Sequence, residues 1–413
     1  MFFGWKIVAL AFLTNFISVG FVFYSYGVFF KALATDFGGS RFGVSMGLVA
    51  MQLVSASVAP LVGRMLDGGH ARSLMTAGAG LMGAGFIVAS AIGALWHFYV
   101  VFGLLMGVGV CMLGGLSSST LVANWFIGRR GTALGLATMG ISMSGMLMPP
   151  IGTALIALVG WRSTFLVYAG ISLLLLAPAV WMWVINRPED IGQAPDGDAV
   201  LHGDGEDPAA PSTAALLRDR NFWVIAIVVA LNFTCMGAIL THSVPHVTDL
   251  GFSPAAAAWI LSAMAGAGAL GKPVFGAVTD RVDKRSAMWL ASAIQIAGVL
   301  ALLQADTYPL LLLSGALFGF GMGGVVPMHG ALVGAAFGRH AFGRVMGLMS
   351  PAMLPINMIG QPFAAYIFDR TGSYDWAFQS FVVVFALSMG VLTMLRLPET
   401  EPGRGPAPAP ARA

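Results

Sequence analysis

The run Gly266-Ala-Gly-Ala-Leu-Gly-Lys272-Pro273-Val-Phe-Gly276-Ala-Val-Thr-Asp280-Arg281 sets one lysine inside an apolar, glycine-rich stretch and ends in a cluster of glycine and charge. Its small residues are the kind that let membrane helices approach closely. A cation at membrane depth costs about 3 kcal/mol on insertion scales, so it marks a functional site with a partner. Lys272 is therefore the first candidate for a substrate-binding charge, and the substrate it points to is an anion.

Composition places the whole chain in a bilayer. Of 413 residues, 57% are hydrophobic and only 9% are charged, against about 25% in soluble domains. Glycine occurs 54 times, roughly twice its usual share. The net charge of +3 carries no nucleic-acid signal. Cys111 and Cys235 both fall in apolar runs, so neither a disulfide framework nor a thiolate metal site is expected. The chain has no phosphate-binding glycine loop, no His-Glu-x-x-His and no carboxylate pair at membrane depth. No enzyme, metal or cofactor is expected, and energy for transport has to come from a gradient of ions or substrate.

Each span needs about 20 apolar residues. Twelve fit, at about 7–30, 43–63, 73–95, 98–124, 131–157, 162–185, 221–244, 255–278, 286–305, 308–334, 343–367 and 376–396. The start, Met1 to Lys6, leads into the first of these without a small-residue cleavage pattern and reads as the entry to a spanning helix. The expected fold is an all-α membrane protein of two six-helix bundles, residues 1–185 and 221–398. A cytoplasmic linker at 186–220, rich in carboxylates and proline, joins them, and 399–413 forms a disordered tail. Basic residues fix the orientation. With the N-terminus in the cytoplasm, sixteen Lys and Arg residues lie inside and four (Lys31, Arg41, Arg162 and Arg370) lie outside. Both termini are thus expected on the cytoplasmic side of the cell (inner) membrane.

The halves repeat. A shift of 213 carries Pro60, Gly63, Asp67 and Arg72 onto Pro273, Gly276, Asp280 and Arg285. A shift of 212 carries Gly131, Gly135 and Pro150 onto Gly343, Gly347 and Pro362. Repeats of this kind put a substrate site between the halves near the bilayer midplane.

Gly63-Arg-Met-Leu-Asp67 to Arg72, and Gly276-Ala-Val-Thr-Asp280 to Arg285, resemble the loop signature of the major facilitator superfamily. More closely, Gly4-Trp5, Val28-Phe-Phe-Lys31, Trp125-Phe-Ile-Gly-Arg129-Arg130-Gly, Lys272-Pro273 and Asp369-Arg-Thr-Gly-Ser-Tyr374 resemble the monocarboxylate transporter family and its bacterial relatives, including oxalate–formate exchangers. The resemblance covers nearly the whole chain outside the linker and tail. It implies a carboxylate-binding cation at the position of Lys272, where the family carries arginine. It also shows departures: Tyr24 and Gly268 stand where many animal members have lysine and aspartate, and no tyrosine stands near Gly115.

No carboxylate falls inside a span, so Lys272 lacks an obvious partner, and a substrate carboxylate would supply one. The alternative is snorkelling toward the cytoplasmic interface. Pro273 beside it suggests a helix break facing a cavity. Further candidate substrate ligands are Tyr24 and Asn15 in helix 1, Ser117 in helix 4, Asn357 in helix 11 and His329 in helix 10, which follows a kink expected at Pro327. Each of these polar groups can equally serve as helix–helix glue or as an interfacial anchor. His329 and His242 are the candidate proton carriers, since histidine titrates near neutral pH. His246 reads as a solvated vestibule residue. Asp67, Arg72, Asp280, Arg281 and Arg285 are expected to form ion pairs that hold the cytoplasmic face shut during alternating access.

The expected function is secondary transport of a small organic anion by a monomer in the lipid bilayer, with proton symport first. Anion exchange and efflux of apolar compounds are the alternatives. The expected partners are a small carboxylate and protons, with no nucleic acid.

Overall fold

The computed structural model describes residues 2–37, 41–197 and 211–397, side chains 30, 31, 34, 41–45 and 254 excepted. The middle of the linker, the tail, and the side chains of Lys31 and Arg41 lie outside the described residues. Among the described residues ten continuous helices are long and apolar enough to cross a bilayer. One of them, Arg130–Trp183, has 54 residues. At 1.5 Å per residue that is about 80 Å, far more than a hydrocarbon core of about 30 Å. Gly160, at φ 78° and ψ 163°, turns the chain there and makes it two spans. A helix interrupted at Met358 and Ile359 brings the number to twelve.

These are α1 (Gly4–Phe29), α2 (Met46–Asp67), α3 (Ala71–Ser90), α4 (Leu95–Trp125), α5 (130–159), α6 (161–183), α7 (Arg220–Asp249), α8 (Ala255–Arg281), α9 (Lys284–Leu303), α10 (Tyr308–Phe337), α11 (Phe342–Asn357 and Gly360–Thr371) and α12 (Asp375–Leu392). Polar side chains set the starts of three helices of the second half. Asp219 accepts from Phe222 N, Ser253 from Ala256 N, and Asp283 from Arg285 N and Ser286 N. Each satisfies backbone donors that a helix N-terminus leaves unpaired.

One expectation about a break is corrected. Helix α8 runs unbroken through Pro273. Helix α10 is also continuous, with Pro327 inside it, where a kink and not a break is expected. A proline removes one N–H, yet the neighbouring helices packed around α8 and α10 hold the rest of the helical pattern in place. The interruption falls in α11 instead, where Pro362 has no N–H to return to the carbonyl of Met358. Helix α4 also breaks at Gly114, which has ψ −142°.

Two separate apolar cores form. One draws on residues between Ile7 and Val184, the other on residues between Leu216 and Leu395 with Ala123. Within each bundle, polar pairs tie helices together. Ser25 Oγ and Tyr168 Oη share a hydrogen bond of 3.0 Å, and Asn232 Nδ2 donates to Ser388 Oγ at 2.8 Å. Between bundles the main contacts run along α2 with α11 and α5 with α8.

Those contacts are glycine against backbone. A Cβ on Gly63 would overlap Gly343 of α11, and one on Gly276 would overlap Gly131 of α5. Gly135 packs the same way on the Lys272 carbonyl, and Gly347 on that of Ala59. The repeat offsets relate the two sets, so a pseudo-twofold axis passes between the bundles. Contact extends from the Asp67/Asp280 end to the depth of Ser142. One turn farther along the same faces, Met146 of α5 is 51% exposed and its repeat mate Met358 of α11 is 46% exposed. The bundles are closed at the Asp67/Asp280 end and parted toward the other.

Candidate translocation site

At the closed end each bundle reaches into the other with one carboxylate. Asp67 accepts from Gly343 N and Arg344 N, both at 2.8 Å, at the start of α11. Asp280 accepts from Gly131 N at 2.6 Å, from Thr132 N at 2.8 Å and from Thr132 Oγ1 at 2.7 Å, at the start of α5. A helix start offers unpaired N–H groups and a positive dipole end, so a carboxylate there is favourable without any basic partner. This differs from the side-chain ion pairs expected of the group. Arg72 Nε donates to Val184 O within its own half, Arg285 pairs with Asp283 at 3.2 Å, and Arg281 is exposed.

Other residues cross the seam. Arg130 is buried, donates to Phe126 O and Ala123 O, and lies directly on Gly334 of α10. Arg339, before α11, pairs with Glu189 at 2.6 Å. Arg344 Nη1 donates to Pro211 O, so the far end of the linker lies under the same seam. Glu189 and Pro211 carry no motif; position in the linker alone would not have singled them out.

Where the closed region ends, Lys272 of α8 is 4% exposed. Its Nζ donates to Ser142 Oγ of α5 at 2.6 Å, across the seam between the bundles. Among the described residues no carboxylate lies within ion-pair distance of it. The ammonium points into the inter-bundle contact, not toward the lipid interface. Ser142 was missed by sequence reading. Its only signal was its place on the face of α5 that also carries Gly131 and Gly135.

Tyr24 belongs to a π-helical turn, Gly20–Tyr24, within α1. Such one-turn irregularities recur at functional sites. Its ring lies over Gly145, one turn from Ser142, and it is 39% exposed in the parted region. The preceding Phe23 lines a cavity of about 240 Å³ bounded by α1, α2, α4 and α11.

The other candidates are placed elsewhere. Asn15 is fully buried inside the first bundle, where Nδ2 donates to Ala137 O and Oδ1 accepts from Ser118 Oγ. Ser117 is buried with Oγ donating to Cys111 O at 3.4 Å, beside the Gly114 break. Asn357 sits at the interruption of α11, and its buried Oδ1 has no hydrogen-bond partner. Thr234 of α7 braces that interruption by donating to Ile356 O. His329 is buried, with Nε2 3.5 Å from Met349 Sδ, inside the second bundle. His242 meets Gln361 O at 3.1 Å and tilts onto the Tyr374 ring, while His246 is buried against Phe378. His246 is thus not the solvated vestibule residue expected of it.

The sequence model of the Major Facilitator Superfamily matches residues 11–248 and 243–412. The chain belongs to the Major Facilitator Superfamily. Among the curated proteins it resembles, Monocarboxylate transporter 13 of Bos taurus is 29% identical over 95% of this chain and 89% of that protein. Monocarboxylate transporter 2 of Homo sapiens is 25% identical over 94% and 84%. Among solved structures, the proton:xylose symporter XylE aligns with a TM-score of 0.74 at 12% identity, covering 96% of each chain. The human organic anion transporter MFSD10 aligns at 0.69 and 17% identity, covering 94% of this chain and 99% of that one. As a facilitator-superfamily protein with monocarboxylate transporters as relatives, the chain is a multi-pass membrane secondary transporter and not an enzyme.

Proposed function

We propose that this transporter carries small organic carboxylates, with Lys272 as the charge that holds them. The supporting observation is the Lys272–Ser142 contact: a buried ammonium, set where the bundles part, bonded to a neutral hydroxyl and to no carboxylate among the described residues. A hydroxyl stabilises the cation less than an anion does, so an arriving carboxylate completes the site. Exposed Tyr24, one turn from Ser142, offers a hydroxyl to the same ligand. The curated relatives, named monocarboxylate transporters, agree with this class of cargo.

Alternating access follows from the seam. With the basic-rich end in the cytoplasm, the shape described is closed inside and parted outside, ready to receive cargo. Asp67 and Asp280 latch the inside. Their charge-assisted bonds to backbone N–H groups are worth about 1.5–3 kcal/mol each, enough to bias two states without freezing them. Asp67→Asn keeps an acceptor but loses the charge and turns one donor toward other donors. It is expected to lower kcat more than it raises KM. A change in KM alone, measured by uptake kinetics, would contradict the latch.

Proton symport is the first reading of coupling. Exchange is the second, favoured by the surroundings of Lys272 and His329, where among the described residues no carboxylate is paired with either side chain. Uptake of lactate, oxalate and benzoate into proteoliposomes decides between them. Accumulation driven by an acid exterior supports symport, and accumulation that needs internal anion but no gradient supports exchange. No uptake of any carboxylate under either condition sinks the proposal.

A further inference from the structure

We infer that residues 187–197 of the linker are a working part of the closure at the Asp67/Asp280 end. Asp196 is a positioning residue that sets the start of α5 for Asp280, and Glu189 is its counterpart at the start of α11. This rests on the reading of Asp67 and Asp280 as a latch. Three observations support it.

The first is the state of the two helix starts that the latch uses. Neither Arg129 before α5 nor Ala341 before α11 supplies a side-chain cap. A helix start leaves its first donors unpaired. At α5 two carboxylates from different parts of the chain share the donors. Asp196 accepts from Ile127 N at 2.9 Å, Gly128 N at 2.7 Å and Arg129 N at 3.2 Å. Asp280 accepts from the next ones, Gly131 N and Thr132 N. Asp196 therefore fixes the turn whose continuation Asp280 grips from the other bundle.

The second is the repeat. The shift of 212 that carries Gly131 onto Gly343 carries Ile127 onto Arg339. Arg339 pairs with Glu189 at 2.6 Å, just before the Gly343 and Arg344 donors that Asp67 holds. One linker stretch thus supplies a carboxylate to each of two related turns. The two differ in one respect. Asp196 acts within the first bundle, whereas Glu189 reaches across the seam and has to release Arg339 when that end opens.

The third is how firmly the stretch is seated. Arg187 Nη2 donates to the Asp67 carbonyl at 3.1 Å, Gln193 Oε1 accepts from Phe3 N at 3.0 Å, and Gly197 lies on the Phe2 ring. Asp196 is the one non-glycine residue among the described residues at positive φ, 60°. That conformation is costly for an L-residue and persists where surrounding contacts over-determine it, most often at sites with a task.

The test reads opening of the closed end without any cargo. Thr120 is 1% exposed and its methyl borders Gly343 of the opposite bundle, in the Asp67 half of the seam and away from the 127–129 turn. The full chain carries Cys111→Ser, Cys235→Ser and Thr120→Cys, in inverted membrane vesicles that turn the basic-rich end outward. Labelling by a membrane-impermeant methanethiosulfonate then measures parting of the bundles. Asp196→Gly accepts the left-handed backbone and removes the carboxylate. It is expected to speed labelling by about tenfold, the scale of one charge-assisted hydrogen bond. Asp196→Asn keeps an acceptor and tolerates the same backbone; it should fall between, and it carries the test if Asp196→Gly lowers the melting temperature. Glu189→Gln should speed labelling by no more than about fivefold, since a partly exposed ion pair is weak. Asp280→Asn should speed it as well. Adding Asp196→Gly to that variant should bring less than about twofold more, because two groups acting on one helix start are not additive. If Asp280→Asn speeds labelling and neither Asp196 variant does, or if Asp196→Gly has its full effect with and without Asp280, the linker assignment is wrong and the latch stands. If Asp280→Asn leaves labelling unchanged, both fall.

Discussion

Lys272→Ala is expected to reduce carboxylate uptake to the level of protein-free vesicles while leaving the protein as stable as before or more so. The two halves of that expectation come from the same physics. A buried ammonium with only a hydroxyl partner is a cost to the folded state, about 3 kcal/mol on insertion scales, so removing it should not lower the melting temperature. The same ammonium is worth about 1.5–3 kcal/mol or more to a carboxylate it bonds, which is about a tenfold to hundredfold loss of binding once it is gone. In an apolar cleft nothing replaces it, because no other cation lies beside Ser142 among the described residues. Lys272→Arg keeps a charge but brings a planar, longer head, and partial uptake is expected. Thermal unfolding and uptake measured on the same preparations separate a lost ligand from a lost fold. Full uptake by the alanine variant would remove the basis for anion selectivity.

A valine at Gly276 is expected to stop transport as completely, by a different route. The Cβ it adds would occupy the place of the Gly131 backbone across the seam. Backbone cannot yield as a flexible side chain can, so the Asp67/Asp280 end cannot close. Because the nearest atoms all belong to the opposite bundle, each bundle should still fold. Loss of turnover by about a hundredfold corresponds to about 2.7 kcal/mol against the closed state, a modest figure for a blocked glycine contact. Gly131→Val should behave alike, since a Cβ there meets the Gly276 backbone from the other side of the same contact. Gly80→Val, where a Cβ meets nothing within 4 Å, is the control and should transport normally. In the Gly276→Val protein, an added Thr132→Cys change should react with a membrane-impermeant thiol reagent applied from the Asp280 side. Wild-type uptake by Gly276→Val would show that this end need not close.

Most of the architecture was legible because a bilayer makes local rules strict. A span must be about 20 apolar residues long, and a charge within it must have a reason. Those rules act on the chain itself, so twelve spans, the twofold repeat of Asp67 and Asp280, and the singular position of Lys272 could be read from residue order. Partnership could not. Whether Asn15 meets cargo or the carbonyl of Ala137 depends on which faces of α1 and α5 are pressed together. The same holds for Ser142, which looks like any hydroxyl in a helix until α8 brings an ammonium to it. Proline was read too strongly for the same reason: α8 stays helical through Pro273 in its packed surroundings.

By itself the sequence determined the number of spans, the pairing of the halves and the one cation buried at depth, since hydrophobic length and the penalty for buried charge are properties of each segment alone. Only the tertiary structure decided that Asp67 and Asp280 hold backbone N–H groups in place of arginines and that Lys272 leans on Ser142. Those facts follow from helix rotation and glycine-to-backbone approach, which many segments must settle together.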